Sequence, residues 1–364
     1  MQFSINGQMF SRWTVILGDN GVGKTTILRG IAHFGHRQPP DKLPEQAELT
    51  LELAADPPLR IASSQIRQSS DLPTIYAYGA GRGVHTARLA PTSIHPAATL
   101  FDDGAALPDA EEWWLQTDYA VRVSNDESAR KHLERVSEAL VKLLPDVTGI
   151  GVQLDEQKQP RLMADTIHGR VLLRDLSLGY NTALTWVIDL ARRMFERYPN
   201  SPDPLAEPAV VLVDEIDLHL HPRWQRELLQ TLDRIFSKTQ FIVTAHSPLI
   251  VQAAPNANLA LLRWEGDQVV IDNDVDYIRK WRVDQILSSE LFGEQPTHAP
   301  EVEELIEQKL ELASKPELTE EEQLRLQELD EELAHIPTAA NPSDIDAMRI
   351  IREAAEALKA KSGS

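Results

Sequence analysis

The sequence predicts an α/β fold: a mixed sheet core with a helical subdomain, followed by a helical tail. Three observations carry that expectation. A strand-like run, Trp13-Thr14-Val15-Ile16-Leu17, leads into a glycine-rich turn and then a helical stretch. A second run, Ala209 to Val213, is apolar throughout, the mark of a strand covered on both faces. Beyond Glu301 the composition changes to Glu/Leu-rich stretches with helical spacing.

The 364 residues are 42% hydrophobic and 25% charged, as in soluble globular chains. A chain this long can bury about three quarters of its unfolded surface, so folding requires no disulfide or metal. It has no cysteine, which excludes thiol nucleophiles, zinc fingers, iron–sulfur clusters and disulfide scaffolds. No apolar run approaches the roughly 18 residues of a membrane span. Met1 to Phe10 lacks a signal-peptide pattern, so the expected location is cytoplasmic, without a membrane. The net charge is −20, and residues 301–364, with 17 acidic and 7 basic side chains, hold −10 of it. The rest is spread thinly enough to leave room for local basic patches.

In chain order, Phe3 to Gly18 reads as extended, and Lys24 to His33 as a helix with Ile27, Leu28 and Ile31 apolar. Ala47 to Ala54 and Leu72 to Tyr78 read as strands, and Arg82 to Ala106, rich in Pro, Gly and Ala, as loop. Helices are expected at Pro108 to Val123 and Asn125 to Leu144, the second with Leu133, Val136, Leu140 and Leu144 on one stripe. Ile150 to Leu172 alternates like β hairpins. A long helix starts near Ser177 and runs to about Tyr198, with a linker from Pro199 to Pro208. Ala209 to Val213, the helix Arg223 to Phe236 and the strand Gln240 to Thr244 form a βαβ unit. Glu301 to Ala313, Thr319 to Ile336 and Ser343 to Lys361 are the tail helices. The expected domains are 1–300, with a helical insertion near 100–148, and an acidic helical region 301–364.

Chemistry concentrates in four places. Gly18-Asp19-Asn20-Gly21-Val22-Gly23-Lys24-Thr25-Thr26 fits the phosphate-loop pattern G-x-x-x-x-G-K-S/T in the required strand–loop–helix context. Its glycines let consecutive N–H groups cradle a phosphate at a helix amino terminus. Asn20, Gly21, Gly23, Lys24, Thr25 and Thr26 are the nucleotide-binding candidates, with Lys24 bridging the β- and γ-phosphates and Thr25 on Mg²⁺. Val210-Val211-Leu212-Val213-Asp214-Glu215 ends in two carboxylates: Asp214 for the Mg²⁺ shell, Glu215 as general base. Leu176-Ser177-Leu178-Gly179-Tyr180 opens the long helix, and Ser177 and Gly179 form a second anion site without a phosphate of its own. That points to ATP shared between two subunits. His246, in Thr244-Ala245-His246-Ser247-Pro248, can bond the γ-phosphate and orient the water. Asp217 begins a turn expected at the dimer seam. His219 and His221 have a metal-ligand spacing, but no third ligand is evident.

These motifs, in this order, resemble the ABC-type P-loop ATPase superfamily. Asp214-Glu215-Ile216-Asp217-Leu218-His219-Leu220-His221-Pro222, followed by Gln240 to Pro248, is similar to the SMC/RecF/OLD branch. Within it the chain resembles the AAA-labelled ATPases of bacterial anti-phage systems, such as the ATPase subunits of Septu and of retron-linked systems. The resemblance covers about residues 1 to 295. It implies an ATP-hydrolysing enzyme with ATP and Mg²⁺ as cofactors, a homodimer or an assembly of dimers, and a partner effector such as an HNH nuclease. The family's Gln-loop is not obvious; Gln65, Gln68 and the turn Tyr78-Gly79-Ala80-Gly81-Arg82 are the elements that could reach the nucleotide. About 150 residues separate Lys24 from Ser177, too few for the long coiled-coil arm of a chromosome-bridging protein.

An OLD-type nuclease is the competing reading, with Trp264-Glu265-Gly266-Asp267 and Asp272-Asn273-Asp274 offering carboxylates, although these segments alternate like a β hairpin. A transporter ATPase subunit has similar chemistry but needs a membrane partner. Arg279-Lys280-Trp281-Arg282 and Arg192, Arg193 and Arg197 are basic clusters for possible nucleic-acid contact, with a solvated helix face as the plainer reading. In the tail, Leu305, Leu310, Leu312, Leu324, Leu326, Leu329 and Leu333 exceed what one hairpin buries, so the tail is expected to dock on the core or hold a partner.

Overall fold

The computed structural model describes residues 4–5, 9–34, 50–53, 59–62, 75–82, 95–254, 256–287, 289, 299–315 and 318–333. The chain divides into two compact units, Met1–Glu294 and Gln295–Ser364.

In the first unit β1 (Ser4–Ile5) and β2 (Met9–Phe10) pair with each other. β3 (Trp13–Gly18) leads through the glycine-rich turn into α1 (Lys24–Phe34). β4 (Thr50–Leu53) and β5 (Leu59–Ala62) form a second antiparallel pair, and β6 (Ile75–Tyr78) follows. The other residues of the strands expected at 47–54 and 72–78 lie outside the described residues, as do Gln65, Gln68 and the helix expected at 343–361.

The stretch expected to be loop from Arg82 to Ala106 contains a short helix, α2 (Ala98–Phe101). Four residues carry no readable periodicity. Tertiary packing makes this turn helical, because Ala97 and Leu100 join Leu28 of α1 and Ile75 in one buried cluster.

α3 (Ala110–Ser124) and α4 (Glu127–Leu143) follow the expected bounds, because each starts on an aspartate. Asp109 accepts from the N–H of Glu111 and Glu112, and Asp126 from those of Ser128 and Ala129. Such caps are worth about 1 kcal/mol each. Between the helices Asn125 takes a left-handed turn at φ +51°. A three-stranded meander, β7 (Val147–Leu154), β8 (Pro160–Thr166) and β9 (Gly169–Leu172), precedes the long helix α5 (Leu178–Arg197). Then come β10 (Ala209–Val213), α6 (Pro222–Ile235), β11 (Thr239–Thr244), α7 (Pro248–Ala253), β12 (Asn258–Glu265), β13 (Gln268–Asp272) and α8 (Val283–Leu287).

The main sheet runs β13-β12-β3-β11-β10-β6, parallel except for the antiparallel edge strand β13. Side chains alternate between two cores. Val15, Leu17, Tyr76, Tyr78, Val211, Val213, Phe241 and Val243 share one cluster with residues of α4, α5 and α6. Ile16, Ile75, Ala77, Leu212 and Ile242 pack with Leu28 and Ala32 of α1 in the other. Helices on both faces leave the strands no polar side, which is why Ala209–Val213 is apolar throughout. Register sets Val213 beside Tyr78 and Val243, and Thr244 beside Ile16. The carboxyl ends of β3, β6, β10 and β11 therefore share one edge, where open α/β sheets place their ligands.

In the second unit α9 (Pro300–Ala313) and α10 (Glu320–Leu333) form an antiparallel-connected helical pair joined by Lys309–Asp330 at 2.6 Å. Leu329 is buried, whereas Leu310 and Leu324 are 65% and 63% exposed.

Candidate nucleotide site

β3 ends at Gly18, and the chain turns before α1 begins at Lys24. Gly21 and Gly23 have φ of +78° and +97°, a region that costs residues with a Cβ. Asp19, Asn20, Gly21 and Thr26 are exposed and Thr25 is half-buried, but Lys24 is only 6% exposed. Its ammonium donates to the carbonyls of Gly18 at 2.7 Å and Asp19 at 2.8 Å, closing the loop on itself. Burial pushes the Lys24 ammonium below the ordinary lysine value, while Asp214, Glu215, Asp19 and Asp217 pull it back up. This cation sits among carboxylates.

Asp214 lies at the end of β10, its N–H held by the Tyr78 carbonyl at 2.8 Å. Its carboxylate accepts from Thr25 Oγ1 at 2.8 Å and from Thr244 Oγ1 at 2.6 Å. The Thr244 hydroxyl in turn accepts the N–H of Glu215 at 2.7 Å. One hydrogen-bonded run, Thr25–Asp214–Thr244–Glu215, thus ties α1, β10 and β11 together. Thr25 and Asp214 set two hard oxygen donors side by side, a donor set that fits Mg²⁺. Among the described residues no group of three or more His, Cys, Asp or Glu is placed to hold a metal. The fit is to an ion that takes its other ligands from water and phosphate.

Past Glu215 the turn is organised by Asp217. This residue, expected at a dimer seam, is 8% exposed and accepts the N–H of His246 at 3.0 Å. Burial raises its pKa, and the His246 N–H opposes the rise. The same bond positions His246 at the end of β11. Gln225 of α6 donates to the carbonyls of Asp217 and Leu220 at 3.3 and 3.0 Å. His221 caps α6, its Nδ1 accepting from the N–H of Arg223 at 3.2 Å, and His219 is exposed at φ +62°. His221 thus has a structural task.

Ser177 is exposed at the start of α5, and its side chain makes no capping hydrogen bond. Asn181 holds that end instead, donating to the carbonyls of Leu176 and Arg174 at 2.8 and 3.0 Å. Gly179 is buried, and a Cβ on it would stand 2.2 Å from the His219 carbonyl oxygen. The phosphate-loop residues, Asp214, Glu215 and, through Asp217, His246 are brought together. Among the described residues no hydrogen bond joins Ser177 or Gly179 to the loop.

Thr244 and Arg82 are the residues that sequence reasoning undervalued. Thr244 was visible only as the residue before Ala245-His246. Arg82 ends the turn read only as one that could reach the nucleotide, and it is 1% exposed, donating to the carbonyls of Gly79, Asp214 and Glu215. The basic cluster on α5 needs correcting. Arg192 and Arg193 bind the buried Asp189 at 3.0 and 2.6 Å, and Tyr78 donates to the same carboxylate at 3.0 Å. They form an internal knot, neither a nucleic-acid patch nor a solvated face, because the helix turns them inward. In the other cluster, Arg279 donates to the Ala257 carbonyl and Arg282 pairs with Asp284 at 2.7 Å. Glu265 ends β12, and Asp267 lies in the two-residue turn to β13.

The mainly parallel sheet, with the phosphate loop after β3 and carboxylates at the end of β10, is an α/β arrangement of the P-loop kind. Residues 111–252 match the family model described as "AAA domain, putative AbiEii toxin, Type IV TA system", a segment that holds Ser177, Asp214, Glu215 and His246 but starts after the phosphate loop. A Retron Ec83 probable ATPase from Escherichia coli is 37% identical over 133 residues, 36% of this chain and 24% of that protein. A Septu protein PtuA from Bacillus mycoides (strain KBAB4) is 25% identical over 359 residues, 92% of this chain and 48% of that protein. The chain thus spans less than half the length of these two curated relatives. Among solved structures, an SMC head domain from Thermotoga maritima matches 71% of this chain and 89% of its own, at 17% identity and a TM-score of 0.38. The chain resembles a retron probable ATPase and a Septu protein, as its motifs led one to expect.

Proposed function

We propose that this chain binds Mg²⁺-ATP at the phosphate loop, hydrolyses it with Glu215 as general base, and forms an ATP-dependent dimer. That dimer regulates a partner effector, a nuclease or toxin, in nucleic-acid sensing or anti-phage defence in the cytoplasm. The observation that carries this reading is the run Thr25–Asp214–Thr244–Glu215 beside Lys24, a phosphate and cation site built from three elements. Asn20, Gly21, Gly23, Lys24 and Thr26 hold the phosphates. Thr25 and Asp214 would hold Mg²⁺, which when bound supplies charge neutralisation at the phosphoryl oxygens. Glu215 takes a proton from the attacking water, and His246 bonds the γ-phosphate and orients that water. The exposed Ser177 hydroxyl, free of capping duty, supports a reach toward the nucleotide of a second subunit together with Gly179. The retron and Septu names of the relatives support the defence setting. The effector, for instance an HNH nuclease, follows from that resemblance, and the exposed leucines of the tail are its proposed anchor. No described helix is long and apolar enough to cross a membrane.

Glu215→Gln is expected to retain ATP binding, lose turnover and accumulate as an ATP-bound dimer, read by size measurement with and without ATP. Hydrolysis at the wild-type rate would remove Glu215 from its role. Mixing a Lys24→Ala chain with a Ser177→Arg chain is expected to restore activity in mixed dimers. If both chains dimerise and no mixture recovers, the shared site is wrong.

A further inference from the structure

We infer that Arg82 is a positioning residue for hydrolysis, clamping the backbone on both sides of Glu215 so that this side chain leaves the main chain in one direction; the inference rests on the reading of Glu215 as the base. Gly79-Ala80-Gly81-Arg82 directly follows β6, the strand next to β10. The turn closes on itself, Arg82 N–H to Gly79 carbonyl at 3.3 Å, and sends the guanidinium under the end of β10. There Nη1 donates to the carbonyls of Gly79, at 2.8 Å, and Asp214, and Nη2 donates to that of Glu215 at 2.9 Å.

Two peptide planes meet at the Glu215 Cα. The first carries the Asp214 carbonyl and the Glu215 N–H; the second carries the Glu215 carbonyl and the Ile216 N–H. Arg82 holds both carbonyls. Thr244 holds both N–H groups, Glu215 through its hydroxyl at 2.7 Å and Ile216 through its carbonyl at 3.0 Å. With each plane fixed at both edges, φ and ψ of Glu215 are fixed, and so is its Cα–Cβ bond. The conformation held is unfavourable by itself: Glu215 has φ +47°, and left-handed backbone costs a residue with a Cβ about 1–2 kcal/mol. Such a backbone persists where its surroundings over-determine it, typically at functional sites.

The clamp is also costly to build. Arg82 is 1% exposed and, among the described residues, its Nε has no hydrogen-bond partner. Burial lowers its pKa to about 10, against the pull of Asp214, Glu215 and Asp217, so it stays charged at neutral pH. An apolar side chain would fill this space without that penalty, but only a planar fork spans two successive carbonyls.

The test is a double-variant cycle of Arg82→Met and Glu215→Gln, reading kcat, ATP affinity by equilibrium binding, and thermal unfolding. Arg82→Met is expected to lower kcat on the order of 100-fold, the cost of a misplaced catalytic group, with ATP affinity within about threefold. On top of Glu215→Gln it is expected to cost less than about twofold of the residual hydrolysis, read as a single-turnover rate at excess enzyme, because the group it positions is gone. Arg82→Lys, which keeps charge without the fork, is expected to stay at least about tenfold impaired. A kcat near wild type in Arg82→Met overturns the inference, as does a parallel loss of ATP affinity. If both Arg82 variants fail to fold, its role is structural and the inference falls. If Glu215→Gln itself keeps turnover, the base reading fails first; if it is inactive while Arg82→Met is active, only Arg82 is misassigned.

Discussion

The strand ends of the first unit and the helical pair α9–α10 both depend on charged side chains, yet they use them in opposite ways. At the strand ends Arg82, Asp214, Lys24 and Asp217 are 1%, 4%, 6% and 8% exposed, each with dedicated partners. On and beside α9 and α10 the pairs Lys309–Asp330, Lys315–Glu322 and Arg325–Glu328, at 2.6, 2.7 and 3.1 Å, have side chains 28% to 58% exposed. The distances are alike and the environments are not. Removing one member of a buried set strands its partners, whereas water replaces an exposed one. Environment, and not the number of ion pairs, should set the ranking of substitutions.

The largest loss of stability is expected at Asp189, which holds Arg192, Arg193 and the Tyr78 hydroxyl. Asp189→Ala should cost about 3–5 kcal/mol, read from urea unfolding, as for other broken buried pairs. A cost under about 1 kcal/mol would break the contrast with the exposed pairs. Next is Lys24→Ala, which removes a charge-assisted contact of roughly 2–3 kcal/mol, or about 30- to 160-fold in ATP affinity. Equilibrium nucleotide binding checks it. Thr244→Val takes one donor from Asp214 and the acceptor from the Glu215 N–H, an expected 1–3 kcal/mol or so of stability together with reduced turnover.

The smallest effect belongs to Glu322. The Lys315 ammonium, with Thr319, lowers its pKa from the ordinary 4.5 to about 2. A depressed carboxylate stabilises the folded state above the unfolded pKa and ceases to do so as pH falls through the folded one. The contribution is therefore complete above about pH 4.5 and fades toward about pH 2. Glu322→Gln should flatten that part of the acid titration of helicity, measured by circular dichroism, and change little at pH 7. An effect at pH 7 as large as that of Asp189→Ala would reverse the ranking.

What could be read from the sequence follows locality. The phosphate loop and Asp214-Glu215 are contiguous, and their chemistry is written in nine and two adjacent residues. The buried strands announced themselves because both sheet faces are covered. Arg82 gave no such signal: its partners Asp214 and Glu215 lie 132 and 133 residues away, and only the pairing of β6 with β10 brings them together. Thr244 likewise meets Asp214 across 30 residues. The α5 arginines misled for the reverse reason. Three positive charges within six residues look like a patch until the fold turns two of them onto Asp189.

Gly179 has a bearing on how such sequences can drift. The space a methyl group would need is filled by the main chain at His219, 2.2 Å away, and a backbone cannot rotate aside as a side chain can. The glycine is thus demanded inside a single chain, whatever a second subunit asks of it. If the proposed dimer forms, a lineage that abandoned it would be free to replace the exposed Ser177 at once, but it could change Gly179 only after remodelling residues 217–221. In a deep mutational scan scored for folding alone, position 177 should accept many residues while position 179 stays glycine, and the two letters of one motif should separate.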